Sequence, residues 1–170
     1  ESNEGIDHIF LTLHTPFFPN GGHVDDDMWY SGSNEPRPTV NGKAVETGII
    51  QRRDELLDLL VNEHDKVRAI LTGDEHNYNR LQVTDDMPRY PADYAHDKVS
   101  LSDSIYQINN GAAGAPYYAQ EKAPWSNQVA LYSSQYNYTL LRYRDGKMQL
   151  DVYNHNGQLI DHVDDLLKGK

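Results

Sequence analysis

Two side chains that can bind a metal ion lie two residues apart near the middle of the chain. Asp74 and His76 follow Gly73, which ends the apolar run from Val67 to Leu71. The β-branched and aliphatic residues of this run predict a buried strand. Alternate side chains of an extended backbone point to one side, so both groups can face one cavity. Open α/β sheets place their chemistry where a strand opens into a polar loop, so we expect a metal site here.

A further candidate ligand, His14, closes another apolar run, from Ile9 to Leu13. The run predicts a second buried strand, and Pro16 prevents sheet pairing beyond it. Considered alone, His14 is also typical of a core histidine that is hydrogen-bonded to backbone. The second cluster, at Asp74 and His76, favours a metal ligand instead, and neutral imidazole suits Zn, Fe and Mn alike.

The segment between these two strands contains a long polar loop and a helix. Residues 47–63 show an apolar stripe close to the helical period, and Thr47 can serve as the N-cap. The order strand, loop, helix, strand predicts a crossover unit with a parallel pair of strands.

The last part of the chain predicts an antiparallel sheet. Its strand-like segments are Gln128 to Leu131, Asn137 to Arg144, Met148 to Tyr153 and Gln158 to Ile160, and a separate strand is predicted earlier, at Ser104 to Ile108. Asp145-Gly146 and Asn156-Gly157 are strong hairpin signals between the later ones. Before them, the small residues 109–116 form a turn that suits close backbone approach near a site.

Residues 73–80, Gly-Asp-Glu-His-Asn-Tyr-Asn-Arg, resemble the last metal-binding motif of the calcineurin-like metallophosphoesterases, Gly-His-x-His. The continuation is similar to that of the purple acid phosphatases, His-x-Tyr-x-Arg, and Asp74 stands where the family has its first histidine. Residues 14–17, His-Thr-Pro-Phe, resemble the preceding family motif, a buried strand that ends in His-(Ser/Thr)-Pro-aromatic. The Asn-Gly-Ala-Ala-Gly turn at 110–114 and the strands after it are similar to the last sheet of purple-acid-phosphatase-like enzymes.

The resemblance implies a fold and an activity. The fold would be the C-terminal half of a four-layer α/β/β/α sandwich, with residues 1–170 forming a single α/β domain. The activity would be hydrolysis of phosphate mono- or diesters by a water that two metal ions, of Fe, Mn or Zn, activate. The implied metal ligands are His14, Asp74 and His76, and His23 would contact the substrate phosphate or protonate the leaving oxygen.

Two residues of the motif leave alternatives open. Asp74 is a harder ligand than histidine and would favour Mn, Mg, Ca or Fe over Zn. Otherwise the second metal is weakened or lost, and Asp74 merely hydrogen-bonds its turn. Arg80 could bind an acidic neighbour or the substrate, and a structural ion pair is an equal alternative.

The family's earlier motifs, Asp-x-His, Gly-Asp-x-x-(Asp/Asn) and Gly-Asn-His-(Asp/Glu), do not precede His14 in this sequence. We therefore expect a fragment of a longer protein, with the missing N-terminal half of the catalytic domain as its partner. An exposed sheet edge is then expected on the N-terminal side. The alternatives are that another chain supplies the missing half, or that the chain is a non-catalytic binding or assembly module on a degenerate scaffold.

Composition limits the possible partners. The net charge of −11 argues against nucleic acid and anionic membrane surfaces as partners. A phosphate ester substrate stays possible, because bound cations invert the local field. The sequence has no cysteine, which rules out disulfides and thiolate metal sites, and no apolar run long enough to span a bilayer. The residues leave the compartment open, and the resemblance is compatible with a secreted or periplasmic protein.

Overall fold

A computed structural model of the chain describes residues 3–25, 29–30, 43 and 48–169. This part of the chain contains one α-helix, a five-stranded sheet and a three-stranded sheet, so the protein has a mixed α/β fold. The helix, α1, is Ile49–Val61. The strands are β1 Ile9–Thr12, β2 Val67–Thr72, β3 Tyr78–Val83, β4 Ile105–Asn110, β5 Val129–Ser133, β6 Asn137–Arg144, β7 Lys147–Asn154 and β8 Leu159–Val163. Within the described ranges, no helix combines the length and apolar character needed to cross a membrane.

The five-stranded sheet is mixed and has the strand order β1-β2-β4-β3-β5. Strand β2 is parallel to both β1 and β4, whereas β3 is antiparallel to β4 and β5. Leu11 of β1 lies opposite Ile70 of β2, which confirms the predicted crossover with a parallel pair. Among the described strands, β1 is at one edge of this sheet, on the N-terminal side as the sequence predicted.

Strand β3 was not predicted from the sequence. After the turn that follows β2, the chain re-enters the sheet at Tyr78, which lies opposite Asn110. Tyr78, Leu81 and Val83 are fully buried. Their apolar pattern is interrupted by three polar residues, Asn79, Arg80 and Gln82, and this interruption explains the error.

The five-stranded sheet is covered on both faces. On one face, Ile70 and Leu81 pack in a core with Leu57 of α1. On the other face, Ala69 and Ile108 pack with apolar residues of β7 such as Leu150 and Val152. Neighbouring residues of β2 thus point into different cores, as the alternation of a strand requires.

The turn and helix boundaries agree in part with the sequence analysis. Asp145 and Gly146 both have positive φ, 53° and 76°, and form the tight turn between β6 and β7. The predicted turn at Asn156-Gly157 joins β7 to β8. The helix begins at Ile49, and the backbone N–H of Gly48 donates to Gln51 Oε1 over 3.1 Å. The predicted N-cap, Thr47, lies outside the described residues.

Candidate metal centre

The two predicted clusters meet at the carboxyl ends of β1 and β2. The backbone pairing continues past both strands, because the N–H of Gly73 donates to the carbonyl of His14 over 3.0 Å. This contact places Asp74 beside His14, and His14 Nε2 lies 3.2 Å from Asp74 Oδ1. His23 Nε2 lies 3.7 Å from the same oxygen. The structure therefore brings together three of the four predicted site residues.

Exposure distinguishes the two interpretations of His14. Its side chain is 79% exposed, so the interpretation as a core histidine is wrong. The carboxylate of Asp74 is partly buried, and its second oxygen accepts a hydrogen bond from Thr15 Oγ1 over 3.1 Å. One carboxylate oxygen is held by the loop, and the other faces the two imidazoles. The side chain of Asp74 thus accepts a hydrogen bond from Thr15 and also faces His14 and His23.

Asp74 has an unusual backbone conformation, with φ at 66°. This left-handed region is costly for most L-residues, and Asp and Asn are among those that tolerate it best. The left-handed turn redirects the chain immediately after β2. As a result the loop is not the extended segment that the sequence analysis assumed, and side chains 74 and 76 need not face the same way.

The side chain of His76 packs against an aromatic residue. Its ring stacks on Tyr118, with centroids 4.2 Å apart and planes inclined by 11°. Its Nδ1 is buried and has no hydrogen-bond partner among the described residues. Among all the described residues, no group of three or more Asp, Glu, Cys or His side chains is placed to hold a metal ion. The candidate centre therefore has two parts. In one, His14 and His23 lie close to the Asp74 carboxylate, and in the other, His76 stacks on Tyr118.

A buried carboxyl group, Glu75, lies between Asp74 and His76 in the chain. Its side chain is fully buried, and Oε1 accepts hydrogen bonds from the backbone N–H groups of Asn20 (2.7 Å) and Gly21 (2.6 Å). Burial raises the pKa of Glu75 from 4.5 to about 7, although those two hydrogen bonds, a third from Asn79 and the charge of His23 act in the opposite direction. Glu75 thereby ties residues 18–23, which we call the His23 loop, to the turn that follows β2.

Buried amides extend the contacts of Glu75 into the sheet. Asn109 Nδ2 donates to the carbonyls of Glu75 (3.0 Å) and Asn77 (2.8 Å), and Asn79 Nδ2 donates to Asn77 Oδ1 (2.7 Å). A Cβ atom on Gly111 would lie 2.0 Å from the carbonyl oxygen of Glu75. The predicted small-residue turn therefore does approach backbone near the site. Since these bonded groups are buried among the described residues, the network fixes the shape of the turn.

Glu75, the buried asparagines and Tyr118 were not predicted from the sequence as part of the site. The alternating Asn77 and Asn79, followed by the Asn109-Asn110 pair, were the available signal, because buried amides at strand ends need each other as partners. Nothing in the spacing marked Tyr118.

The last residues of the motif face away from the centre. Arg80 Nε and one terminal guanidinium nitrogen bond the two carboxylate oxygens of Asp161 in β8, at 2.7 and 3.0 Å. Tyr78 Oη donates to the same carboxylate over 2.6 Å. The interpretation of Arg80 as part of a structural ion pair is therefore confirmed, and this pair links the two sheets.

Comparison with models of known protein families finds no match for this chain, and comparison with curated proteins finds none either. A functional interpretation therefore depends on the motifs and on the geometry described above.

Proposed function

We propose that the chain is the C-terminal part of a calcineurin-like metallophosphoesterase of the purple-acid-phosphatase-like type. The substrate would be a phosphate mono- or diester, and the complete fold a four-layer α/β/β/α sandwich. The observation that carries the proposal is the contact of His14 with Asp74 at the carboxyl ends of two parallel strands, where the two family motifs meet.

The donor set fits a transition-metal ion in chemistry and, in part, in spacing. Two ligands that each bind one ion at about 2.1 Å lie roughly 3.0 to 3.4 Å apart at tetrahedral or octahedral angles. The distance of 3.2 Å between His14 Nε2 and Asp74 Oδ1 falls in this range. His76 follows in the same turn, and its imidazole would be a further donor. His14, Asp74 and His76 would thus hold part of a site for Fe, Mn or Zn.

The bound metal pair would supply Lewis-acid chemistry and a water with a lowered pKa. This chain's own residues would orient the substrate and protonate its leaving oxygen. The imidazole of His23 lies beside the site, with Nε2 3.7 Å from the Asp74 carboxylate. Such an imidazole can donate a hydrogen bond to a phosphate oxygen or pass its proton to the leaving oxygen. The hydrogen bonds from the His23 loop to Glu75 keep His23 beside the site.

The remaining ligands would come from the N-terminal half of the catalytic domain, outside these 170 residues. Among the described strands, β1 and β6 each end a sheet, and a cavity of about 550 Å³ is lined by residues of both. The cavity walls include His14, Leu13 and Leu141. Strands added at these two edges would close the cavity and bring their ligands next to His14.

Metal binding and turnover test the proposal together. Calorimetric titration with Mn²⁺ and Zn²⁺ should show binding that His14→Ala and Asp74→Asn weaken by about 10-fold or more. His96→Ala, outside the site, should leave binding unchanged. Asp74→His, which restores the family motif, should shift the preference from Mn²⁺ towards Zn²⁺. In the protein that includes the N-terminal half, His76→Ala should abolish metal-dependent cleavage of a p-nitrophenyl phosphate ester. Unchanged turnover would refute the proposal.

A second candidate is a non-catalytic binding or assembly module on the same scaffold. It is favoured by the carboxylate at position 74, one oxygen of which is engaged by Thr15, in place of the family's histidine. The two candidates differ in stoichiometry: binding of two metal ions per complete protein, with normal turnover, would exclude the second.

A further inference from the structure

The aromatic residue between two of the candidate site histidines has no role in the function proposed above. The ring of Tyr118 stacks on His76 at 4.2 Å and meets His23 edge-on, with centroids 5.8 Å apart and planes inclined by 79°. One ring thus contacts an imidazole of the motif loop and an imidazole of the His23 loop. These two loops are far apart in the sequence and depend on tertiary contacts for their relative position.

The position of the Tyr118 ring is fixed from several sides. Its backbone N–H donates to the carbonyl of His76 over 3.3 Å, and its carbonyl accepts a hydrogen bond from Tyr132 Oη over 2.6 Å. A Cβ atom on Gly22 would lie 2.0 Å from Tyr118 Cδ2, so the backbone of the His23 loop packs directly against the ring. Gly22 also has φ at +99°, a conformation that suits glycine. The ring is therefore held more firmly than an exposed surface tyrosine.

His76 lacks the usual means of orientation. A metal-ligating histidine normally donates its second ring nitrogen to a carboxylate, a carbonyl or water, and this bond sets the plane of the ring. The Nδ1 atom of His76 is buried without such a partner in the part of the chain that the structure describes. Stacking is therefore the contact available to set the ring plane, and a nearly parallel arrangement at 4.2 Å is well suited to it.

We propose that Tyr118 is a positioning residue of this site, whose ring sets the planes of His76 and His23 and so holds both imidazoles for a cation and its bound substrate. The functional half of this inference rests on the proposed metal site. The orienting contact itself does not, because it can be observed in the metal-free protein. The ring, and not the hydroxyl, carries the effect.

Histidine ring signals in NMR spectra of the metal-free chain give the first readout. In the wild type, ring protons of His76 should be shifted upfield by the Tyr118 ring and show cross-relaxation with it. Tyr118→Phe should keep both features, and Tyr118→Leu should lose the upfield shift. The matched control is Tyr117→Leu, since Tyr117 is adjacent, 56% exposed and packed against Tyr136. The absence of cross-relaxation in the wild type would overturn the inference, even if Tyr118→Leu does not fold.

Binding of Mn²⁺ gives the second readout. Tyr118→Leu should weaken the affinity by about 10- to 100-fold, the usual effect of removing a group that orients a ligand. Tyr118→Phe should restore it, and Tyr117→Leu should leave it unchanged. Equal weakening by both leucine variants would indicate general destabilisation and refute the positioning role. If the wild type binds no Mn²⁺, the proposed metal site fails, and the NMR result alone decides whether Tyr118 orients the His76 ring.

Discussion

The ion pair that joins the two sheets offers a direct test of how this fold is stabilised. Asp161 accepts two hydrogen bonds from Arg80 and one from Tyr78, and the side chains of Asp161 and Arg80 are only 5% and 13% exposed. Asp161→Asn removes the charge but keeps the shape, and leaves the Arg80 guanidinium buried without its counter-ion. Breaking one side of a buried pair costs about 3 to 5 kcal/mol. For a chain of this size, that cost lowers the Tm by roughly 6 to 20 °C.

Chemical and thermal unfolding of three variants would separate the contributions. Tyr78→Phe leaves the ion pair intact and loses one hydrogen bond to a charged group, so we expect a smaller cost of about 1.5 to 3 kcal/mol. Glu55→Gln is the control, because it breaks the ion pair between Glu55 and Arg52. Both of these side chains are about half exposed. Such exposed pairs contribute about 0 to 1 kcal/mol. If Asp161→Asn costs no more than Glu55→Gln, the two sheets do not depend on this pair.

The same pair predicts a dependence on pH. Burial alone would raise the pKa of Asp161, but the hydrogen bonds from Arg80 and Tyr78 outweigh it and hold the pKa below the usual 3.8. A carboxyl group whose pKa is lowered by folding stabilises the fold above its unfolded value, and this stability is lost as pH falls through the folded value. The difference in stability between wild type and Asp161→Asn should therefore shrink in acid. A constant difference down to the lowest accessible pH would contradict this assignment.

Further predictions concern the site turn and the second sheet. Glu75→Ala should destabilise the fold by about 2 to 6 kcal/mol in urea, because two buried N–H groups of the His23 loop lose their shared acceptor oxygen, while Glu75→Gln keeps an oxygen that can accept both hydrogen bonds and should cost less; equal costs would contradict this. Gly111→Ala should cost about 1 to 3 kcal/mol, since its Cβ meets a carbonyl at 2.0 Å, whereas Gly73→Ala, with its nearest atom at 4.0 Å, should be tolerated. Hydrogen bonds to two aspartates raise the pKa of His162, so its contribution to stability is present below pH 6.5 and lost as pH rises through the raised value. His162→Gln should therefore flatten the fall of Tm as pH rises from 6.5 through the raised pKa, and an unchanged slope would exclude the effect.

The sequence predicted most of the fold where apolar residues are continuous. Strands β1 and β2 are short apolar runs, and the helical stripe between them allows few topologies other than a parallel crossover. The turns at Asp145-Gly146 and Asn156-Gly157 were predictable because positive φ strongly favours such residues. Strand β3 escaped detection because its pairing is stabilised by tertiary contacts: Arg80 is neutralised by Asp161, a residue that follows it by 81 positions.

The candidate site was predictable only in part, for a geometric reason. The carboxyl ends of parallel neighbours meet, which is why His14 and Asp74 lie together, and local patterns sufficed to place them. The prediction for His76 assumed an extended loop in which residues 74 and 76 face the same way. Asp74 instead has φ at 66°, so the chain turns sharply, Glu75 enters the interior and His76 rests on Tyr118. A left-handed aspartate leaves little trace in a sequence, because Asp is common in loops of every conformation. The partners that hold this turn, Asn20 and Asn109, come from 55 residues before Glu75 and 34 residues after it. The shape of the site therefore follows from long-range hydrogen bonds between buried polar groups, which no local pattern can specify.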